Sequence, residues 1–219
     1  MGDLGSTPPG ASAAEDRRRI YTAPSQNGRL WQGEILSDLS QAKLSIASVP
    51  ATHPNPPTAG TAAVSVAVEM EYDEHPLVVV LSQDCDLEQD YKKRKTEGRA
   101  ILQNILLADV FEADVLQGKL RTEEQSGSSD WKKIKGNHAP RFQFLSGALP
   151  DQDANGAGLP PLAVDFRLYF SIRTDELYER LRLRLTTKRC RLQTPYAEHL
   201  AHRFYNYQSR VPLGKEHGA

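Results

Sequence analysis

Residues 76–90 read Pro-Leu-Val-Val-Val-Leu-Ser-Gln-Asp-Cys-Asp-Leu-Glu-Gln-Asp. The apolar run at 77–81 is typical of a strand buried on both faces, and we expect it to occupy the centre of the core over residues 77–82. Polar groups follow directly where this strand leaves the core: Ser82, Asp84, Cys85 and Asp86. Because strand ends on a rigid scaffold often carry binding groups, these four side chains form the first candidate site.

The composition is that of an ordinary globular domain. The chain has 219 residues, with 27 Lys+Arg against 28 Asp+Glu, so its overall charge does not indicate a nucleic-acid or membrane partner. We find no apolar run near the roughly 18 residues of a membrane span, and no signal-peptide pattern. Two cysteines are too few for a disulfide framework. We therefore expect a cytoplasmic protein with free thiols, without a cofactor and away from membranes.

Segment boundaries follow from composition and periodicity. Residues 1–16 are rich in Gly, Ala, Ser and Pro, which predicts a disordered tail. We expect one β-barrel-like domain over 17–193 with a helical insertion at about 113–140, then a C-terminal helix over 194–213 and a tail over 214–219. The last helix carries Tyr205, Tyr207 and Arg210 near its end, residue types enriched at interfaces with protein partners.

Alternating apolar and polar residues predict most of the strands. The alternation over 63–72 predicts a half-buried strand, and a turn at 73–76 would pair it with 77–82 as a hairpin. In the clearest segment, 162–172, the residues at 162, 164, 166, 168, 170 and 172 should share one apolar face. Further strands are expected at 31–36, 42–49, 105–111 and 141–145. Thr174-Asp175-Glu176 resembles a helix start, and Gly136 is expected to end a short helix that contains Trp131 and Ile134. The fold class is therefore mainly β (α+β): a small, curled antiparallel barrel with short helical insertions.

Three segments resemble the PemK/MazF toxin family. Gln32-Gly33-Glu34-Ile35-Leu36 is similar to that family's first strand, Pro76-Leu77-Val78-Val79-Val80-Leu81-Ser82 to its "R-P-V-V-V-L-S" strand, and Ile172-Arg173-Thr174-Asp175-Glu176-Leu177 to its "I-R-T-V-D" junction. The resemblance implies an SH3-like barrel, RNA binding and metal-independent endoribonuclease activity in a homodimer. The family's toxins typically carry a catalytic Arg between the first two matched strands, whereas residues 36–76 contain none. The resemblance therefore bears on the fold more than on the activity.

The acidic turn at the end of the central strand has two interpretations. Alternating carboxylates suit a divalent cation, whereas a polar turn would bind its own backbone amides or an arginine. We favour the second, with Arg173 or Arg210 as the partner of Asp84, and predict no metal. Cys85 lies between two aspartates that would raise its pKa, so we expect a packed, unreactive thiol.

Positive charge is concentrated near residue 185, in a segment that either continues a helix or begins a strand. Such a row suits phosphate, with Tyr169 or Tyr178 for base stacking, although a solvated edge strand is the plainer interpretation. We call this segment the basic row; its members are Arg180, Arg182, Arg184, Lys188, Arg189 and Arg191. RNA or DNA is the partner class that it would bind.

Two functional hypotheses follow. The first is a non-catalytic interaction module of a bacterial toxin-like or defence-type system that binds a protein, a second copy or a nucleic acid. The alternative is a PemK/MazF-type endoribonuclease, with Arg173 or the basic row on phosphate and Asp84 as base. The missing arginine favours the first hypothesis and leaves catalytic activity open.

Overall fold

The fold is a mixed α/β arrangement in which a curled antiparallel sheet forms a half-barrel. The computed structural model describes residues 19–49, 65–124 and 127–209, so both predicted tails lie outside the described residues. Within these ranges seven strands pair in the order β1-β7-β2-β3-β4-β6-β5. The strands are β1 (Tyr21–Thr22), β2 (Glu34–Val49), β3 (Ser65–Val80), β4 (Asn104–Glu112), β5 (Phe142–Leu145), β6 (Leu162–Arg173) and β7 (Thr187–Leu192).

Five α-helices surround the sheet in the described part of the chain. They are α1 (Asp84–Glu97), α2 (Ala113–Glu123), α3 (Ser128–Lys135), α4 (Thr174–Arg182) and α5 (Tyr196–Gln208). The expected helical insertion thus contains α2 and α3, and the expected C-terminal helix is α5 as far as the structure describes it. None of the described helices is long and apolar enough to cross a membrane.

The end of β3 is the centre of the core, as the sequence predicts. Val78, Val79 and Val80 are all fully buried. Val79 faces a cluster that includes Phe204 of α5, whereas Val78 and Val80 face Leu87 of α1 and Leu177 of α4. Helices therefore cover both faces of the sheet at this point, which is why the run of branched residues is uninterrupted.

Strands β2 and β3 form one long hairpin, which corrects two expectations. The segments 31–36 and 42–49 contribute to one strand, and 63–72 and 77–82 contribute to another, so the predicted turn at 73–76 is wrong. The register is constant from Ile35 opposite Val79 to Val49 opposite Ser65. Pro76 does not break β3, because the pairing with β2 omits only Pro76 and the opposite residue Asp38, whose φ is 62°, and continues in the same register on both sides.

The predicted shared face of β6 is also wrong beyond its first half. Phe166 packs on the α5 side of the sheet, Leu168 is exposed, and Ile172 packs on the α1 side. The cause is a break in the β4–β6 register, because Ala108 lies opposite Tyr169 whereas Val110 lies opposite Val164. Residues 165–168 therefore bulge opposite Asp109, and a bulge changes which face the following side chains occupy.

Candidate functional site

Asp84 begins helix α1 and is bound by an arginine, as expected from its chemistry. Arg29 donates from Nη1 to Asp84 Oδ1 at 3.1 Å and from Nη2 to Oδ2 at 2.8 Å. Bidentate pairing of this kind fixes both groups. The expectation of Arg173 as the partner is wrong, because Arg173 ends β6 and has no ion pair with Asp84, whereas the expectation of Arg210 lies outside the described residues. Arg29 precedes β2, which pairs directly with β3, so the two chain segments meet where β3 leads into α1.

Trp31 joins this pair to the end of the basic row. The guanidinium carbons of Arg29 and Arg191 lie 3.4 and 4.1 Å from the indole ring centre. These are cation–π contacts, and they hold Arg191 against the protein. Arg29 and Trp31 are site residues that the sequence does not predict, because nothing local marks them as partners of Asp84.

The remaining groups of the acidic turn do not form a pocket around Asp84. Ser82 Oγ accepts a hydrogen bond from the Leu106 backbone N–H at 2.8 Å, so it has a structural role. Cys85 and Asp86 are exposed on the first turn of α1. The expectation of a packed Cys85 is wrong, because α1 begins at Asp84 and turns that side chain outward. Among the described residues no three metal-binding side chains cluster.

We expect Asp84→Asn to lower the free energy of unfolding by about 1–3 kcal/mol, because the Arg29 guanidinium would lose its charged acceptor. Denaturant unfolding would measure this. Asp86→Asn is the matched control, because Asp86 lies two residues further along α1 and its side chain is exposed. This variant should leave the midpoint of the denaturant transition unchanged. Added Ca²⁺ or Mg²⁺ should leave the melting temperature of the wild type unchanged. A rise of several degrees with either ion would contradict a structural role for Asp84.

Most of the basic row is neutralised by neighbouring acids. Arg180 pairs with Glu176 and Arg182 with Glu179 along α4, and Arg189 of β7 pairs with Asp153 at 2.8 Å. The row is not one strand face, because α4 continues through Arg182 and β7 begins only at Thr187. Arg184 lies in the turn between them and has no ion pair with any described residue. The charges therefore do not form a continuous surface for a polyanion.

Lys188, another member of the row, is buried with Glu34. Both side chains are fully buried, and Nζ lies 3.3 Å from Glu34 Oε1. Nζ also donates to the carbonyl oxygens of Arg29, Gly28 and Ser25, at 2.7, 3.2 and 3.3 Å. Burial raises the pKa of Glu34 to about 7 and lowers the pKa of Lys188. The pair therefore fastens the loop before β2 to β7.

The outer part of the hairpin extends beyond the rest of the sheet. We call residues 39–49 of β2 and 65–75 of β3 the ribbon. β7 pairs with β2 only over residues 34–37, and β4 pairs with β3 only from Val78, so no other described strand borders the ribbon. At its base, His75 Nδ1 lies 2.6 Å from Asp109 Oδ1. The His75 ring also stacks on Phe170 at 4.0 Å, so the ribbon is anchored to the half-barrel.

One face of the ribbon is apolar and uncovered. Leu44 lies opposite Met70, and Tyr72 and Val68 flank Met70 on the same face of β3. These four side chains are 59–68% exposed. Over residues 68–72, the part of the predicted 63–72 strand whose side chains the structure describes, the apolar face is present, but the expectation that it is half-buried within the domain is wrong.

The comparisons with known proteins do not assign the chain to a family. No family model matches it, and neither the curated proteins nor the solved structures include a significant match.

Proposed function

We propose that this protein is a non-catalytic interaction module whose ribbon binds a protein partner. The single observation that carries the proposal is the uncovered apolar face of Leu44, Val68, Met70 and Tyr72. Large exposed apolar side chains that are contiguous mark interaction surfaces, because their burial against a partner is favourable. The fuller form of the proposal, a module of a toxin-like or defence-type system on an SH3-like barrel, rests on the sequence resemblance alone, and its cytoplasmic location rests on the composition.

The ribbon's shape favours an extended partner segment. Both of its long edges lack a described neighbour, so backbone N–H and C=O groups there are available to an added strand. Strand addition combines these backbone hydrogen bonds with side-chain contacts on alternate residues. A two-stranded ribbon is also marginally stable by itself, and a third strand would stabilise it.

Charge on the opposite face favours a basic partner. Glu69, Glu71 and Asp73 alternate with the apolar residues of β3. Lys43 of β2 lies opposite Glu71, and its Nζ is 3.7 Å from Asp73 Oδ2. A strand added beside β3 would place every second residue next to these carboxylates. We therefore propose that the occupant is an extended segment in which apolar residues alternate with Lys or Arg.

The endoribonuclease alternative has less support from the geometry. The carboxylate of Asp84, its proposed base, is bound by Arg29 on both oxygens, and most of the basic row is paired with acids. Its direct test is incubation of the purified protein with single-stranded RNA in EDTA. Specific cleavage there would contradict the non-catalytic part of our proposal.

We expect a labelled peptide of about eight residues with alternating Val and Lys to bind the wild type, measured by fluorescence anisotropy. The double variant Leu44→Thr/Met70→Thr should bind it at least about tenfold more weakly, because two central contacts are lost while β propensity is kept. Leu168→Thr is the matched control, because Leu168 is an exposed apolar residue of β6 outside the ribbon. It should bind like the wild type.

Two control peptides and a measurement of oligomeric state identify the occupant of the ribbon face. A peptide that alternates Val and Glu should not bind, and one that groups the same Val and Lys residues in blocks should bind weakly. Equal binding by all three peptides, or by the double variant, would contradict strand addition at this face. Sedimentation that shows a wild-type dimer and a monomeric double variant would assign the face to a second copy instead.

A further inference from the structure

A polar cavity lies beside the segment that joins α4 to β7, and part of the basic row lines it. Its volume is about 610 Å³, within the range of small-molecule sites. The walls come from the loop at 26–28, from α1, from the loop at 154–155 and from the segment 178–187. The loop at 26–28 is held in place from behind by Lys188, whose Nζ binds the Gly28 carbonyl oxygen.

The cavity lining has the composition of an anion site with aromatic walls. It includes Arg182, Arg184, Tyr91, Tyr178, Asn27 and Asn155, and no Asp or Glu is among its lining residues. Arg182 is paired with the exposed Glu179, so Arg184 is the lining cation that has no ion pair among the described residues. The lining thus offers cationic donors, neutral donors and flat apolar surfaces in one concavity.

Arg184 occupies a backbone position at which glycine is usual. Its φ is 58°, and it follows the C-cap of α4. The Leu185 N–H donates to the Arg180 carbonyl oxygen at 3.0 Å, and the Arg184 N–H to that of Leu181 at 3.2 Å, which is the Schellman pattern. An arginine here costs stability that glycine would not. Arg184 also lines the cavity, and its guanidinium has no ion pair among the described residues, so its charge is available to a ligand.

We propose that this cavity binds a nucleotide. Arg184 would bind the phosphate through charge-assisted hydrogen bonds. The ring of Tyr91 or Tyr178 would stack with the base, and the amides of Asn27 and Asn155 would hydrogen-bond to the base or sugar. The same chemistry is presented by a free nucleotide and by one unit of a single-stranded nucleic acid. This site is independent of the ribbon and of the partner proposed for it.

The test uses Arg184→Gly. This variant removes the charge and also removes the conformational cost of a positive φ at a non-glycine residue. We expect the wild type to bind at least one nucleotide from a panel of the common ribonucleoside mono- and diphosphates, measured by titration calorimetry. Arg184→Gly should weaken that binding by about tenfold or more, while its melting temperature stays equal to or above that of the wild type. Arg184→Lys keeps the charge and should retain much of the affinity.

Three results would overturn the proposal, and a fourth would identify the source of the ligand. Binding that is unchanged in Arg184→Gly, no binding by any nucleotide, or inorganic phosphate that binds as tightly as the nucleotides would overturn it. A short single-stranded oligonucleotide that binds more tightly than the mononucleotides, with the same dependence on Arg184, would identify nucleic acid as the source of the ligand. If Arg184→Gly fails to fold, Arg184→Asn replaces it, because Asn also tolerates a positive φ.

Discussion

Val79→Asp should abolish the folded state. Val79 is fully buried at the centre of the sheet, in the cluster that contains Phe166 and Phe204. An unpaired carboxylate placed there costs several kcal/mol, on the order of the whole stability of a domain of this size. Circular dichroism during a thermal melt should show no cooperative transition. This is the largest effect that we expect from any single substitution in the chain.

The ribbon provides the matched control for this substitution. Val68 is also in β3, but its side chain is 60% exposed. Val68→Asp introduces the same group on the same strand, and it should leave the melting temperature nearly unchanged because the carboxylate stays in water. A soluble Val79→Asp protein with a cooperative melt near that of the wild type would show that the core is elsewhere. Unfolding of both variants would show that the ribbon face is covered within the molecule.

The elements that the sequence predicts correctly are those with a local signal. The run at 77–81 is apolar on both faces because helices cover both sides of β3 there. The start of α4 at Thr174 is marked by Asp175 and Glu176 in its first turn, where the helix dipole favours acids. The end of α3 is marked by Gly136 at its C-cap. Each signal lies within a few residues of the feature that it specifies.

The features that the sequence does not predict depend on other parts of the chain. Alternation at 63–72 indicates that the two faces differ, but it contains no information on whether anything covers the apolar one. Pro76 favours a turn when β3 is considered alone, yet the pairing of β3 with β2 continues on both sides of it. The bulge of β6 arises opposite Asp109, a residue more than fifty positions earlier in the chain. Local periodicity therefore predicts where the strands are, but not which strands pair with them or which elements cover their faces.

The candidate sites show the same limit in their charged pairs. The chemistry of Asp84 predicts an arginine partner correctly, yet the arginine is Arg29, 55 residues away. The basic row suggests a surface, but the fold pairs Arg180, Arg182 and Arg189 with acids and buries Lys188. Residue type specifies which interactions a group needs, whereas the topology specifies which partner supplies them. Among the members of the row, Arg184 lines the cavity and has no ion pair with a described residue, so it is the arginine that we propose binds the ligand.

Lys188→Met should lower the free energy of unfolding by about 3–5 kcal/mol at pH 8, because it leaves Glu34 buried without its counter-charge and three carbonyl oxygens without their donor. The loss should be smaller at pH 5. Burial holds the pKa of Glu34 near 7 in the folded protein against an ordinary value of 4.5, so its proton stabilises the fold below pH 4.5 and that stabilisation is lost as the pH rises through 7.

At pH 5 Glu34 is therefore protonated in both proteins, and Lys188→Met removes only hydrogen bonds; at pH 8 it also removes the partner of an ionised carboxylate. Denaturant unfolding at the two pH values measures the difference. The double variant Lys188→Met/Glu34→Gln is the control, and its loss should not depend on pH in this range, because no buried acid remains to titrate. An equal loss from Lys188→Met at both pH values would show that the charge of Glu34 does not contribute to holding the loop before β2 on β7.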